Sequence, residues 1–470
     1  MHTYGRRPRT QRVELSGNWV KRHLEGIAPI AIVAACAFFY IKPNVLDPIS
    51  GLGAPSDFAV YYQAAKDILS GTSPYENSAY FYPPSVAFLM APFGLIPYVT
   101  ARWIWFLLSH VLFLSSGWLV WRAAGRGLIA LCCIACVWAL GGAAKEVFDV
   151  GQLSFLLMLA LAAAFTQGTR LRGVAVGFGW ALKYFPGVLA MAFVLQRNWR
   201  GLRTAIGVVV LATGIPWLLI ACAFAGPKAP GSARYWMGTP SLFSWSIPSV
   251  VLRVLDPLRT SGPLPSEWEF GNVAASLHLT ARLQFLSAGT ALFVLAAGTI
   301  ALTLVCRGRL RRAQASWAML GLLSLSLAAA PVCWSHYQVL QYPGVALMLV
   351  SAIRVRAWRI AVAVAVCFAF AYRLPELALC AYHDKYAGWS AASPATLYFW
   401  SSVAPLAGVG LFGLALWNVK QSGPKSDRIP DISLTSAFLE PRVNSGERKA
   451  ARRPDMGVRS SRQSLARPKR

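Results

Sequence analysis

Acidic side chains are scarce in this chain of 470 residues: 18 aspartates and glutamates stand against 45 lysines and arginines. Charge of either sign is thin, at 13% of residues, where a water-soluble domain carries about 25%. An ordinary soluble globule is thereby excluded. No G-x-x-x-x-G-K-[ST] stretch occurs, which argues against P-loop nucleotide hydrolysis. D-x-D is missing as well, and with it the acid pair of soluble metal-dependent sugar-nucleotide enzymes. G-x-S-x-G is also missing, which argues against a nucleophile elbow. Nine cysteines are present, none in a Cys/His cluster. "CCIAC" (Cys132, Cys133, Cys136) lies inside an apolar run without His or acid, so it reads as small buried hydrophobes rather than metal ligands. Cys333 and Cys380 both fall on the expected outer side, which leaves a disulfide open. Paired repeats of the transporter type are not visible.

What is present is hydrophobic length. Residues of apolar type make up 56% of the chain. Runs such as "GIAPIAIVAACAFFYI" reach the length needed to enter or cross a bilayer. Twelve candidate spans emerge, at 26–41, 99–121, 128–144, 152–167, 172–182, 186–196, 203–225, 284–306, 314–330, 337–353, 357–374 and 395–418. Two of them, 172–182 and 186–196, are short enough to form a re-entrant pair. "VAAC" before Cys36 has the look of a lipoprotein cleavage site, but the spans downstream favour an uncleaved anchor.

The net charge of +27 follows the membrane, not a nucleic acid. Basic residues gather in the N-terminal segment 1–25, in short loops, and in the tail 421–470. Cytoplasmic loops are biased in this way, so no nucleic-acid partner is expected. Starting inside, the count puts 42–98 and 226–283 outside, while "WRAAGR", "GTRLR", "QRNWRGLR", "CRGRLRRA" and "RVRAWR" all fall inside. The scheme requires that "YPPSVAFLMAPFGLIP" not be a full crossing, and Pro83, Pro84, Pro92 and Pro97 argue for an interfacial or re-entrant element. The tail, rich in Lys, Arg, Ser and Pro, is expected to be disordered and to lie against anionic lipid.

Polar groups at membrane depth are expensive and usually functional. Asp57 heads the helical stretch "DFAVYYQAAKDIL", with Ser56 as an expected N-cap; it is either a helix cap or a base. Lys183 either snorkels to the outer boundary or neutralises an anion. His336 at an expected helix start is either structural or a phosphate donor. Glu146, Asp149, Gln152 and Arg253 fall on the same outer side.

These motifs in this order resemble glycosyltransferase family 87, the polyprenyl-phosphate-mannose-dependent α-mannosyltransferases of the GT-C class. The likeness rests on Asp57 with Tyr61 and Tyr62, then Gly71, Pro74 and Tyr75, then Tyr82, Pro83 and Pro84. It continues with Gly151 and Gln152, Lys183 and Pro186, Ser246 and Arg253, and Trp334, His336 and Tyr337. It spans about residues 26 to 420 and leaves out the tail. Trp245 departs from the pattern, standing where the family often has a polar residue.

The resemblance implies an all-α polytopic fold of the GT-C class, with about 12 transmembrane helices and extracytoplasmic loop helices. It further implies transfer of a sugar, with mannose the one expected, from a polyprenyl-phosphate donor to an acceptor hydroxyl on a glycolipid, glycan or protein. Asp57 is then the general base; Lys183, His336 and Arg253 receive the donor phosphate; Tyr61, Tyr62, Tyr82, Gln152, Trp334 and Tyr337 line the substrates. No metal and no cofactor beyond the lipid-linked donor are expected. The implied location is the bacterial plasma membrane, with the site facing the exterior among membrane lipids. The competing reading is a lipid or amphiphile transporter, disfavoured by the near absence of charge within the spans.

Overall fold

A computed structural model describes residues 14–50, 56–76, 80–223, 244–255, 281–306, 310, 314–386 and 394–421. The basic segment 1–13, most of the expected outer loop 226–283 and the basic tail from 422 lie outside the described residues. The rest is helical. The β structure among the described residues is one isolated antiparallel bridge between Ser244 and Trp334.

Six helices are long and apolar enough to cross a membrane: Ile27–Ile49, Tyr98–Ala123, Trp199–Cys222, Arg282–Val305, Trp358–Ala381 and Thr396–Gln421. Leu128–Leu140 and Ala143–Val150, bent by 57° at their junction, make a seventh if taken as one span. The remaining five of the twelve expected spans form shorter elements: Ser154–Thr166, Thr169–Leu182, Phe185–Gln196, Ala315–Ala329 and the consecutive stretches Ser335–Gln341 and Tyr342–Arg354. A run of apolar residues cannot distinguish a lipid-crossing helix from one enclosed by protein. Ala315–Ala329 illustrates this, for nearly every side chain along it is buried and its apolar circumference serves the protein core. Lipid-facing character belongs instead to the longer helices, where Phe285 is 80% exposed.

The short helices set the depth of one end of the molecule. Ser154–Thr166 has 13 residues, a rise of about 20 Å against a hydrocarbon thickness of about 30 Å. Gln152 stands two residues before its first, and Thr169–Leu182 returns to Lys183. Gln152 and Lys183 therefore lie at the same end of this helix pair. Pro84–Gly94, with 11 residues, is likewise too short to cross, in keeping with the expected interfacial or re-entrant element. It packs along Asp57–Leu69 with Gly94 against the Ala65–Lys66 backbone, where a Cβ would come within 3.2 Å of the Lys66 nitrogen.

At the opposite end the arginine-rich turns meet one another. The Arg354 guanidinium donates to the Ala124 carbonyl. Leu310 N–H donates to the Leu195 carbonyl at 2.8 Å. Ser316 reaches the Phe165 carbonyl at 2.9 Å, and Gln314 the Val419 carbonyl at 2.6 Å. Arg126, Arg197 and Arg356 close three of these turns with φ of 56°, 55° and 57°, a left-handed conformation uncommon outside glycine. Turns placed on one side by charge alone thus lie beside one another in space.

Between the ends, Thr169–Leu182 and Trp199–Val209 form a close pair. Gly173 and Gly177, spaced as G-x-x-x-G, face the Gly201 and Ala205 carbonyls; a Cβ at either would sit within 2.7 Å of backbone oxygen. Small residues that let backbones approach are the usual glue of membrane helices.

Single cysteines introduced at the exposed positions Gln63, Arg126, Arg200 and Arg356 test this polarity. In intact cells, a membrane-impermeant thiol reagent should reach position 63 from one face only and positions 126, 200 and 356 from the other. Labelling of all four from one face would contradict the arrangement.

Candidate active site

The site gathers residues from five separated stretches. Asp57 opens helix Asp57–Leu69. Ser56 occupies the N-cap position in extended geometry, but its hydroxyl makes no capping bond, so the expected cap is not formed. The Asp57 carboxylate instead accepts from the Gln152 amide nitrogen through Oδ2. Phe58, Tyr61, Ala64 and Ala65 form the buried face of this helix and fix its rotation, which aims Asp57 and Tyr61 at Gln152.

Gln152 is the junction. Its Oε1 accepts from the Tyr61 hydroxyl at 2.7 Å and from the Lys183 ammonium at 3.3 Å. Its Nε2 donates to Asp57 and also to the Tyr82 hydroxyl at 3.1 Å. The position of this amide is built from the turn before it. Gly151 closes helix Ala143–Val150 with φ +69°, and a Cβ there would collide with the Arg102 guanidinium at 2.5 Å and with Phe58 at 2.8 Å. Arg102 donates to the Phe148 and Asp149 carbonyls at 2.9 and 2.7 Å, and Trp105 to the Gly151 carbonyl at 2.9 Å. Those carbonyls are unpaired at any helix C-terminus, and a cation suits the negative end of the helix dipole.

Lys183 follows the last turn of Thr169–Leu182 and is 6% exposed. Its ammonium lies 3.7 Å from the centre of the Tyr337 ring and 5.3 Å from that of Tyr82, a cation enclosed by aromatic faces. Burial pushes its pKa down to about 7, opposed by the charge of Asp57. Such a lysine gains strongly from an arriving anion, because the anion restores the charge that desolvation disfavours.

His336 stands beside Tyr337, ring centres 4.5 Å apart. Its Nδ1 donates to Glu146 Oε1 at 3.2 Å, and the Ser335 hydroxyl donates to Glu146 Oε2 at 2.5 Å. The other ring nitrogen, Nε2, is buried without a hydrogen-bond partner.

Tyr61, Tyr82, Gln152 and Lys183 thus converge on Asp57, with Tyr337 against Lys183, and His336 joins this group only through its contact with Tyr337. Three expected site residues sit differently. The Tyr62 hydroxyl donates to the Ile96 carbonyl at 2.8 Å, so Tyr62 fastens two helices instead of facing Gln152. Arg253 is fully buried and donates to the Ser244 and Ser401 carbonyls at 3.0 and 3.2 Å, which braces Ile247–Leu255 against the last helix. Trp334 is half-buried and its backbone bridges to Ser244. Cys333 and Cys380 are both free thiols, so the disulfide left open by the sequence is not formed. Among the described residues no group of three or more His, Cys, Asp or Glu could hold a metal ion.

Arg102, Trp105, Ser335 and the pairing of Glu146 with His336 were missed at the level of sequence. Arg102 carried a signal, a lone cation in the apolar run "ARWIWFLL". Glu146 was visible as an outer-side acid, but its partner lies 190 positions away.

The fold and the site define an all-helical, multi-pass membrane protein in which a carboxylate, an amide and a buried ammonium meet at one end. Comparison with known proteins narrows the class. The sequence model of glycosyltransferase family 87 matches residues 80–256, in accord with the family resemblance carried by the motifs. Among curated proteins, the polyprenol-phosphate-mannose-dependent α-(1-2)-phosphatidylinositol pentamannoside mannosyltransferase of Mycolicibacterium smegmatis is 27% identical over 220 residues, 42% of this chain and 50% of that protein. The α-(1->3)-arabinofuranosyltransferase of Mycobacterium tuberculosis is 27% identical over 208 residues, 41% of this chain and 47% of that protein. The polyprenol-phosphate-mannose-dependent α-(1-2)-phosphatidylinositol mannoside mannosyltransferase of Mycobacterium tuberculosis is 25% identical over 318 residues, 62% of this chain and 69% of that protein. The chain spans about half the length of the first two.

Gly151→Ala should lower thermal stability by about 1–3 kcal/mol, the cost of a side chain held in a sparsely populated backbone conformation, and displace Gln152. Gly207→Ala, in a helix interior with open space around it, should be neutral or stabilising by up to about 1 kcal/mol. Thermal unfolding of the two purified variants checks the contrast; equal stabilities would refute the account of the turn.

Proposed function

We propose that the chain is an inverting membrane glycosyltransferase that moves a sugar, mannose foremost, from a polyprenyl-phosphate donor to an acceptor hydroxyl. The reaction runs on the extracytoplasmic side of the bacterial plasma membrane and requires no cofactor beyond the lipid-linked donor. The observation that carries this reading is the pairing of Asp57 with the buried Lys183 through one amide. A base and an anion receiver held a few ångströms apart suit a transfer in which a proton is taken on one side while a phosphate leaves on the other.

Asp57 takes the proton of the acceptor hydroxyl as that oxygen attacks the anomeric carbon. The bond from that carbon to the phosphate oxygen breaks, and polyprenyl phosphate departs with the electron pair. Attack opposite the leaving group turns a β-linked donor into an α-linked product. The Gln152 amide takes one lone pair of a carboxylate that has about four, so it orients Asp57 and leaves it basic. Lys183 and His336 receive the charge that grows on the phosphate, and preorganised donors at such a position are usually the largest catalytic contribution. Arg253, already engaged with two carbonyls, acts as a brace. The names of two relatives support a polyprenol-phosphate-mannose donor and a phosphatidylinositol mannoside acceptor. The short helices that lead to Gln152 and Lys183 suit a donor whose phosphate is tethered to a lipid tail.

Asp57→Asn should lower transfer from a polyprenyl-phosphate sugar by roughly 10²- to 10⁴-fold, the usual share of a general base, while leaving expression unchanged. Radiolabelled sugar transfer in membranes measures it; retained turnover would remove the assignment, and movement of intact donor without any transfer would favour a transporter. Lys183 supplies a second test. Burial pulls its pKa down to about 7, so affinity for polyprenyl phosphate should fall as pH rises past 7. Lys183→Arg, which keeps its charge, should flatten that fall.

A further inference from the structure

Two turns at the arginine end repeat one short pattern. "QRNWR" (196–200) and "VRAWR" (355–359) each set an arginine, one spacer, a tryptophan and a second arginine in a row. Both fold alike. Arg197 and Arg356 take left-handed backbone, with φ of 55° and 57°. The next amide then closes onto the preceding helix, Asn198 N–H on the Phe193 carbonyl and Ala357 N–H on the Ala352 carbonyl, each at 2.8 Å. At this place in a helix end glycine is the usual residue. Trp199 and Trp358 follow with exposed rings and open helices long and apolar enough to cross a membrane, which sets both turns at headgroup level. Arg200 and Arg359 come next, inside the first turn of those helices, where the helix dipole disfavours a cation.

These arginines stand against local preference. Charge bias decides on which side of a bilayer a turn lies, but it does not ask a cation to take the glycine position or the wrong end of a dipole. Nor does an acid compensate. The sequence has none from 150 to 255 or from 270 to 375, and the ion pairs among the described residues leave both turns out.

The second turn belongs to a larger cluster. The Arg354 guanidinium donates to the Ala124 carbonyl, which joins 354–359 to the turn 122–127. Gly125 and Gly127 leave room for that guanidinium, since a Cβ on either would lie 3.4 or 3.6 Å from it. The joined turn adds Arg122, whose guanidinium carbon lies 5.5 Å from the centre of the exposed Trp118 ring. It also adds Arg126, left-handed at φ 56°. Arg122, Arg126, Arg354, Arg356 and Arg359 are all exposed.

We propose that the joined turns 122–127 and 354–359 form a docking surface for the headgroups of anionic phospholipids in the leaflet they meet. A phosphodiester is the anion that a membrane presents at this depth, and guanidinium groups hold phosphate oxygens through paired N–H donors. Trp118 and Trp358 sit beside the cations as aromatic anchors of the same boundary. The surface lies at the opposite end of the molecule from Asp57 and Lys183, so it stands or falls apart from the proposed transfer.

The test titrates the purified full-length protein in neutral detergent with phosphatidylglycerol or phosphatidylcholine and counts bound lipid by native mass spectrometry. Detergent removes any effect of inverted insertion. The parent should prefer phosphatidylglycerol, and the preference should shrink as salt is raised. Arg126→Gly with Arg356→Gly should weaken phosphatidylglycerol binding about 25-fold, each cation near a lipid surface accounting for about fivefold, with the basic tail present throughout. The melting temperature should meanwhile hold or rise, because glycine adopts a left-handed turn without strain. Arg126→Asn with Arg356→Asn, which also tolerates that backbone, should reproduce the loss, and Arg126→Lys with Arg356→Lys, which keeps both charges, should stay near the parent. Equal binding of the two lipids by the parent, or parental binding in both neutral variants, would overturn the inference. Displacement of phosphatidylglycerol by equimolar inorganic phosphate would also overturn it, marking a site for a free anion instead of a lipid.

Discussion

Opposite charges in a medium of low dielectric attract strongly, and a carboxylate beside a buried ammonium tends to close into a direct pair. Gln152 prevents that closure by standing between Asp57 and Lys183 and bonding to both. The orientation of its amide follows from its neighbours. Lys183 can only donate, so Oε1 must face it; Asp57 as a carboxylate can only accept, so Nε2 must face that. Tyr61 and Tyr82 then take the remaining positions. A direct ion pair would quench both members, whereas an interposed amide keeps a carboxylate and an ammonium separately available. Gly151, Arg102 and Trp105 exist in this account to hold one side-chain amide in place.

Depth is the second constraint, and it arises from helix length. The helices leading to Gln152 and Lys183 stop short of a full crossing, and the long helices around them supply the lipid-facing surface. A polar cluster at the end of a full-length span would sit in the headgroup layer, screened by water and salt. Buried as Lys183 is, at 6% exposed, a charge acts in a drier setting where each preorganised dipole counts for more.

Much of this was legible in the sequence. Charge bias along the chain grouped the arginine turns that later prove to touch, such as 122–127 with Arg354. Motif order named Asp57, Tyr61, Tyr82, Gln152, Lys183, His336 and Tyr337, all of which the fold brings into one neighbourhood. Other features were out of reach for physical reasons. Twelve apolar runs read alike, although Ala315–Ala329 is wrapped in protein and Arg282–Val305 faces lipid, since both environments select the same side chains. Tyr62 is adjacent to Tyr61 and equally aromatic, but successive helical positions point about 100° apart, so only one of the two meets Gln152. Arg253 looked like an anion receiver because a sequence shows a cation without showing what already occupies it. Glu146 and His336 are joined by packing between distant helices, which leaves no local trace.

The region matched by the family model, residues 80–256, contains Tyr82, Gln152 and Lys183 but neither Asp57 nor His336. The geometry supplies that join: both residues reach the matched segment by direct side-chain contact, Asp57 at Gln152 and His336 at Glu146. Two relatives at the same 27% identity bear the names of a mannosyl and an arabinofuranosyl enzyme, so likeness at this level does not fix the sugar. The amide-bridged pair explains why. A base and an anion receiver ask only that a hydroxyl and a phosphate stand on opposite sides of one carbon. Ring size and the arrangement of the other hydroxyls are matters for whatever surface meets the rest of the sugar. Under the proposed mechanism the reaction class can persist while the sugar changes, because the groups proposed to move the proton and hold the phosphate are fixed by contacts with other protein groups.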